Sequence, residues 1–456
     1  MKADKSRPQP DATDPRRAPA SRPAAPHREH PGHWARWAPW LALAALLGVP
    51  PLVSAWLSPA GVPQGWLLAC LAQAATMIVF ALSYNLLLGE TGLLSFGHAA
   101  PAGLGALVAA HVFNRYAIPL PLLPLAGGLG GAAVGALIAL VAARRAGTAF
   151  AMITLGLGEL IAAAAWALPD WFGGEAGVAI DRASGPATSI AASWTFGPDR
   201  QAYWLIAAWC LVASASIHML SRAPFVRLAN AVRDNPVRAA ALGASPARVR
   251  AAMIVLAAGF AGVAGTLTLI NVELAAAESV GMMRSAAVLI ATVTGGAASF
   301  FGPVLGALVW VVFSVGVASV SRAWMLYVGL FFIVVVLAAP DGLAGLAMRQ
   351  RAALARYGWR RCSAYWTMAA LAASCGALAL VLAVQWAYAL RFGDDDSGAW
   401  LAALSPRAAA GLAVAIAALT AVALWAGRRA RQGVRALERL ERLERPERLD
   451  RRTEAP

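Results

Sequence analysis

Long apolar runs alternate with short basic segments along most of this 456-residue chain. Ten of the runs approach the ~20 residues that a helix needs to cross about 30 Å of hydrocarbon. They cover residues 41–57, 67–88, 120–143, 148–168, 203–220, 251–270, 304–320, 326–339, 368–390 and 408–426. In lipid, such a run satisfies its own backbone hydrogen bonds only as a helix. The pattern therefore predicts an all-α, polytopic membrane helix bundle.

Two further stretches, residues 96–113 and 286–298, are apolar but rich in small or polar residues. This composition is typical of spans that are buried among other helices. With both included, we predict a ten-span core over residues 37–348 and an appended transmembrane hairpin over residues 349–426. Re-entrant segments would lower the number of crossings in pairs.

The charge of the chain lies in its loops and tails. Hydrophobic residues make up 59% of the sequence, charged residues 13%, and the formal net charge is +15. In a membrane protein, the positive-inside rule explains this excess, so we do not expect a nucleic-acid partner. If the N-terminus is cytoplasmic, the basic segments 144–145, 222–250 and 349–361 all fall inside, as does the basic C-terminal tail. Both termini are therefore predicted to be cytoplasmic.

The two ends of the chain differ in character. Residues 1–36 are rich in Pro, Ala and Arg, which predicts a disordered cytoplasmic tail rather than a cleaved signal. Residues 427–456 predict a charged cytoplasmic tail helix with Glu and Arg four positions apart. This helix is either solvated and stopped near Pro446, or it lies on anionic membrane lipid.

Motifs of soluble enzyme chemistry are missing from the sequence. Lysine occurs only at Lys2 and Lys5, which excludes a G-x-x-x-x-G-K-[ST] phosphate loop. There is also no HExxH, GxSxG or cluster of histidines with carboxylates, and the four cysteines lack CxxC spacing. We predict that the chain is not an enzyme and holds no metal or cofactor. If ATP drives its activity, another subunit must bind the nucleotide.

The run YNLLLGETGLLSFGHAAPAGLGA, residues 84–106, places glycines, a proline and polar residues at membrane depth. It predicts a helix that breaks and restarts, which is typical of a translocation path. Tight helix packing through small residues is the alternative. The candidate path residues here are Asn85, Thr91, Ser95 and His98.

Glu159 is a carboxylate at membrane depth, where it must face a partner or water. It either anchors its helix by a hydrogen bond to a neighbouring span or lines the path. His98 has two similar alternatives. It either donates to backbone groups that the broken helix leaves free, which is a structural role, or it contacts a solute directly.

Residues 222–250 carry six arginines against one acid and lie between two apolar spans. Asn235 and Pro236 predict the start of a short helix, Gly243 its left-handed end, and Ser245-Pro246 the start of the next span. Such a helix-turn-helix can couple a soluble partner to the membrane, whereas the alternative is a plain positive-inside loop. The candidate coupling residues are Arg227, Arg233, Asp234, Asn235, Pro236, Arg238 and Gly243.

The run from residue 84 resembles the N-L-L-x-G-x-T-G-x-x-S-x-G-H-A-A pattern of the membrane subunits of branched-chain amino acid ABC importers. Three further stretches match in the same order: GTAFAMITLGLGELI with FGGEAGV, the segment VRDNPVRAAALGASPARVRAAMIVLAAGFAGVAGTL, and GGAASFFGPVLGALV followed by PDGLAGL. Together they span roughly residues 67–346. The sequence departs from the pattern at Pro101, where an aromatic residue is usual, and at Arg238, where coupling loops commonly have an acid.

The resemblance implies a permease subunit in a bacterial inner membrane. Its partners would be a second permease subunit, cytoplasmic ABC ATPase subunits that bind ATP, and a periplasmic solute-binding protein. Acidic residues of the outer loop 169–201, with Glu273 and Glu278, are candidates for meeting that binding protein. The solute would be a branched-chain or related amino acid, with urea, amides or another small polar solute as alternatives. A secondary transporter and a membrane scaffold are the rival classes.

Overall fold

The computed structural model describes residues 33–57, 65–116, 118–184, 195–392 and 406–453. The predicted disordered tail lies outside these residues except for its last four positions, which begin a helix. The predicted all-α class is confirmed. The helices are α1 (His33–Leu57), α2 (Gly65–Thr91), α3 (Ala99–Tyr116), α4 (Leu123–Ala142), α5 (Thr148–Ala167), α6 (Pro169–Phe172), α7 (Asp199–Ser221), α8 (Pro224–Asp234), α9 (Pro236–Ala241), α10 (Pro246–Val272), α11 (Met282–Gly295), α12 (Gly302–Val311), α13 (Trp324–Ala338), α14 (Gly342–Tyr357), α15 (Trp359–Phe392) and α16 (Pro406–Thr453). A two-residue antiparallel ladder joins β1 (Val178–Ala179) to β2 (Leu274–Ala275).

Fewer of the described helices are long and apolar enough to span a membrane than the twelve stretches that the sequence pattern offers. Eight of the described helices are long and apolar enough to span, or nine if α13 and α14, bent by 45°, form one broken span. The predicted ten-span core is thus not confirmed. Helix α11 has only 14 residues, which at about 1.5 Å per residue fall short of the hydrocarbon thickness. Within the basic segment 349–361, helix α14 continues to Tyr357.

The centre of the bundle is built on close backbone contacts. Helix α10 packs on α2, α3 and α4, and glycines set its distance from α3 and α4. A Cβ atom added at Gly105 would lie 2.6 Å from the carbonyl oxygen of Gly127, and one added at Gly262 would overlap that same oxygen. Small residues therefore let three helix backbones meet, as the composition of the 96–113 stretch indicates.

A second glycine contact joins α11, α12 and α14. Cβ atoms added at Gly295 and Gly306 would overlap the carbonyls of Gly302 and Ala291, and one added at Gly296 would overlap that of Asp341. The sequence stretches GGAASFFGPVLGALV and PDGLAGL, which are far apart along the chain, therefore meet at one backbone contact. Beyond it, α12 continues into a π-helical turn, Val312–Val317.

The C-terminal helices α15 and α16 pack mainly on each other. Polar contacts tie α15 to the rest of the bundle: Gln385 donates to the Ser321 hydroxyl at 2.8 Å, and Trp366 Nε1 donates to Gln350 at 2.6 Å. Helix α16 continues without interruption from Pro406 to Thr453. The predicted stop near Pro446 is wrong, since one missing N–H does not end a helix built from Glu, Arg and Leu.

Candidate functional site

The predicted helix break lies between α2 and α3. Helix α2 ends at Thr91, α3 begins at Ala99, and residues 92–98 between them are not helical. Gly92 has a φ of 68°, a left-handed conformation that favours glycine. Its N–H still donates to the Leu88 carbonyl at 3.0 Å, which closes the last turn of α2. We call residues 92–98 the broken segment.

Buried side chains of α2 hold the broken segment. The Tyr84 hydroxyl donates to the Ser95 carbonyl at 2.9 Å. His98 is 3% exposed and stacks on Phe80, with 5.6 Å between ring centroids. Its Nε2 lies 3.0 Å from the Ser83 hydroxyl, which itself donates to the Phe80 carbonyl at 2.7 Å. The Ser83 oxygen is therefore left to accept from Nε2–H of His98, which gives this histidine a structural role.

The broken segment is also tied to α5 and α11. The Phe96 N–H donates to Thr154 Oγ1 at 3.2 Å, and the Ala99 N–H donates to Ser285 Oγ at 2.9 Å. A Cβ added at Gly97 would overlap the Thr154 carbonyl. Two of the sequence motifs, one around residue 97 and the other around residue 154, are thus in direct backbone contact.

We expect Thr154→Val to destabilise the protein by about 1–3 kcal/mol, since the isosteric change leaves the Phe96 N–H without its acceptor. Thr294→Val is the matched control, because the buried Thr294 hydroxyl bonds only carbonyls of its own helix. The measurement is the free energy of unfolding in mixed micelles. Equal losses in the two variants would contradict this role of Thr154.

The remaining predicted path residues take up different positions. Asn85 and Thr91 are buried on α2; Thr91 bonds the Leu87 carbonyl, while the Asn85 Oδ1 atom has no hydrogen-bond partner within the described residues. Glu159 is exposed on α5 and, in the part of the chain that the structure describes, makes no hydrogen bond to another span. The structure therefore groups Ser95 with His98 but leaves Glu159 on an outer face.

The predicted coupling residues lie on α8, α9 and the turn after α9. Asn235 Oδ1 accepts the Arg238 N–H at 2.9 Å and caps α9, Pro236 is its first residue, and Gly243 follows with a φ of 90°. These features agree with the sequence prediction. Ser245 precedes α10, but its side chain makes no capping hydrogen bond, contrary to expectation.

Helix α8 is hydrogen-bonded to the end of α2, next to the broken segment. Asn230 Nδ2 donates to Glu90 Oε2 at 2.8 Å, and Arg233 donates to the Gly89 carbonyl. Sequence reasoning singled out neither Glu90 nor Asn230, although Glu90 lies within the quoted run. Arg233 thus faces its own chain, whereas the apolar Val237 of α9 and Leu242 just after it are 79% and 83% exposed.

The opposite end of the bundle carries an ion-pair cluster around the buried Arg182. Its guanidinium bonds Asp199 at 3.0 Å and also Glu273, beside the β1–β2 ladder. Two of the acidic residues that the sequence offers to a binding protein are therefore engaged within the chain. Glu175 and Glu278 are exposed.

A cavity of about 610 Å³, which we call the chamber, lies between α2, α10, α11, α12 and α13; its wall is mostly apolar, with a few polar and charged side chains. Arg284 of α11 lines it, together with Phe80 of α2, which contacts His98 on the side of the broken segment. The sequence analysis did not identify Arg284. Its neighbours in the chamber come from helices that are far apart along the chain, so no local motif marks it.

Comparison with known proteins places these features in a family. Residues 66–340 match the family described as branched-chain amino acid transport system / permease component. The chain belongs to this family. It is 29% identical over 292 residues to the high-affinity branched-chain amino acid transport system permease protein LivM of Salmonella typhimurium, and 28% identical to that of Escherichia coli. Each alignment covers 60% of this chain and 68% of the relative. No solved structure matches the chain significantly.

Membership in the permease component family confirms the resemblance stated from the motifs. The chain is a multi-pass membrane transport permease, not an enzyme. The match includes the broken segment, α8, α9 and the chamber, and it ends at the bend between α13 and α14. Helices α14, α15 and α16 lie outside it.

Proposed function

We propose that this permease component is a membrane subunit of an ABC importer that moves branched-chain or related amino acids across the bacterial inner membrane. A second permease subunit would lie beside it, cytoplasmic ATPase subunits would bind the ATP, and a periplasmic binding protein would deliver the solute. The names of the two LivM relatives support the solute class. The exclusion of a phosphate loop by the two lysine positions supports separate ATPase subunits.

The observation that carries the coupling part of this proposal is one line of contacts. It starts at the exposed α9 and passes through α8 to Gly89 and Glu90, at the end of α2. From there the broken segment leads to His98, which packs on Phe80 at the chamber wall. Movement of α9 by an ATPase would thus be transmitted through these contacts to the broken segment, whose His98 packs on a wall residue of the chamber.

The charge of the α8–α9 end supports the proposed orientation of the protein. Arg227, Arg238 and Arg248 are exposed there, which by the positive-inside rule favours a cytoplasmic position for this end, and both termini are proposed to lie on the same side. The Arg182 cluster then faces the periplasm. The predicted division into a core over residues 37–348, a hairpin over 349–426 and a tail is compatible with this topology and remains a proposal.

Glu159 supports the presence of a second permease subunit. A charged side chain at the centre of a span costs about 2.5–3.5 kcal/mol or more when it faces lipid. Glu159 lies in the middle of α5 on an exposed face, beside the exposed Met152 and Leu160. We therefore infer that this face of α5 lies against the second subunit or the water-filled path.

The decisive test reconstitutes the chain in proteoliposomes with candidate ATPase subunits, a second permease and a binding protein from the same organism. We expect these proteins to co-purify in mild detergent and radiolabelled leucine uptake to require ATP hydrolysis. Uptake of radiolabelled urea in the same vesicles tests the alternative solute. A chain that migrates alone and transports without ATP would refute the importer proposal.

A further inference from the structure

The chamber lies at the end of the bundle opposite α9. Helix α10 begins beside α9 and ends at Val272, and its last turn, with Asn271 and Val272, lines the chamber. Its volume, about 610 Å³, lies within the roughly 300–1,000 Å³ typical of small-molecule sites. In the proposed orientation, the chamber lies toward the periplasmic side, where a binding protein would release its solute.

Arg284 places a permanent positive charge in the wall of the chamber. Its Nη2 atom donates to Thr268 Oγ1 at 2.8 Å, and the guanidinium lies 5.9 Å from the centre of the Phe80 ring. Within the described residues, no carboxylate forms an ion pair with it. A guanidinium has five N–H donors in a fork that matches a carboxylate, so Arg284 has donors left for an anion.

The start of α11 increases the positive potential at this point. Arg284 is the third residue of α11, and Gly281 before the helix provides no side-chain cap. The first N–H groups of a helix lack partners within it and carry a partial positive charge. A cation at this end is unfavourable unless an anion accompanies it. A bound carboxylate would compensate both the helix end and the guanidinium.

The other walls of the chamber fit the rest of an amino acid. Glu278 contributes an exposed carboxylate, yet it forms no ion pair with Arg284 in the described structure. The π-helical turn brings in Ser314, whose buried hydroxyl lacks a hydrogen-bond partner among the described residues. Trp310 and Val328 add apolar surface. The chamber thus offers a cation, an anion and an apolar wall.

We propose that the chamber is a transit site for a zwitterionic amino acid. Arg284 binds the α-carboxylate, Glu278 attracts the α-ammonium group, and the apolar wall receives an aliphatic side chain. This inference rests on the proposed function and makes it more specific, since urea and amides lack the carboxylate that Arg284 requires.

The first test measures the charge preference of the chamber without any solute. The starting variant has serine in place of all four native cysteines, Cys70, Cys210, Cys362 and Cys375. The substitution Met77→Cys then places one thiol on the chamber wall. This variant is studied in nanodiscs. Anionic sulfonatoethyl and cationic trimethylammonioethyl methanethiosulfonates then compete for the thiol. We expect Arg284→Gln to lower the anionic-to-cationic rate ratio about tenfold, the scale of one nearby charge.

Two control variants test whether a change in the rate ratio comes from the charge of Arg284 itself. The alternatives are a change in folding and an effect of distant charges. Arg284→Lys keeps the cation and should keep the rate ratio. Arg200→Gln removes an exposed arginine at the same end of the bundle but outside the chamber, and should leave the ratio unchanged. An equal ratio in the Arg284→Gln and unsubstituted chains, or no reaction at position 77, would overturn the proposal.

The second test identifies the ligand class. L-leucine should slow modification of Met77→Cys several-fold, whereas leucinamide, without a carboxylate, and 4-methylpentanoate, without an ammonium group, should protect less. Protection by leucine should disappear in Arg284→Gln, and Glu278→Gln should remove the preference for leucine over 4-methylpentanoate. Equal protection by all three compounds would refute the assignment.

These tests use the chain without ATPases, so they fail independently of the importer proposal. Leucine protection with ATP-independent uptake would leave the chamber in place and refute the importer. ATP-driven leucine uptake with no charge preference in the chamber would support the importer and refute the transit site.

Discussion

Alanine at Gly262 is expected to lower the free energy of unfolding by about 3 kcal/mol, in the upper part of the range for overpacked interiors. The added Cβ would overlap the carbonyl oxygen of Gly127 and lie 3.0 Å from the Cα atom of Gly131. Both contacts are with backbone, which cannot move aside as the end of a flexible side chain can. Helices α4 and α10 would have to separate, which disrupts the centre of the bundle.

The matched control is Gly259→Ala, one turn earlier on α10. A Cβ atom there lies 3.5 Å from the Gly128 oxygen and 3.6 Å from the Ala132 Cβ, which are ordinary contacts. Because alanine is favoured over glycine inside a helix, this variant should be as stable as the parent or slightly more stable. Unfolding in mixed micelles measures both. Similar stability of the two variants would show that the α4–α10 contact is not tight.

Serine at both Val237 and Leu242 is expected to weaken binding of the proposed ATPase subunits by more than tenfold. These side chains are 79% and 83% exposed, so serine at these positions should cost little stability. A tenfold loss corresponds to about 1.4 kcal/mol for the pair, which a few buried anchor residues can contribute to an interface. The double variant should therefore fold and insert normally, but lose ATPase binding and leucine-stimulated ATP hydrolysis.

The control for this variant is Leu57→Ser at the end of α1, where the side chain is 68% exposed. It makes the same chemical change away from α9 and should not affect ATPase binding. Affinity can be measured by biolayer interferometry with the chain in nanodiscs. Undiminished affinity of the double variant would remove α9 from the docking surface and leave the arginines of α8 as the remaining candidates.

Local chemistry made some elements predictable from the sequence. The length of the apolar runs predicted α2, α7 and α10, because only a helix satisfies their backbone in lipid. The turn from Asn235 to Gly243 was predictable because a capping side chain, a proline and a left-handed glycine act within a few residues. The break between α2 and α3 followed from its glycines in the same way.

Features that depend on distant parts of the chain were not predictable. The chamber joins Gln73 to Trp324, and no local pattern brings such residues together. The outward position of Glu159 depends on which neighbours α5 packs against, and composition does not determine this. The predicted crossing count is not confirmed, because a stretch of apolar sequence does not show whether its helix is long enough to span, as the short helix α11 illustrates. The path and coupling roles of the candidate residues remain predictions.

The length of the appended helix α16 restricts how soluble subunits can assemble with this protein. Its 48 residues extend for about 72 Å at 1.5 Å per residue, more than twice the roughly 30 Å of hydrocarbon. About 40 Å of rod therefore projects beyond the bilayer, a reach greater than the diameter of a small domain. In the proposed topology this rod stands on the cytoplasmic side, so soluble subunits that approach α9 must share their space with it.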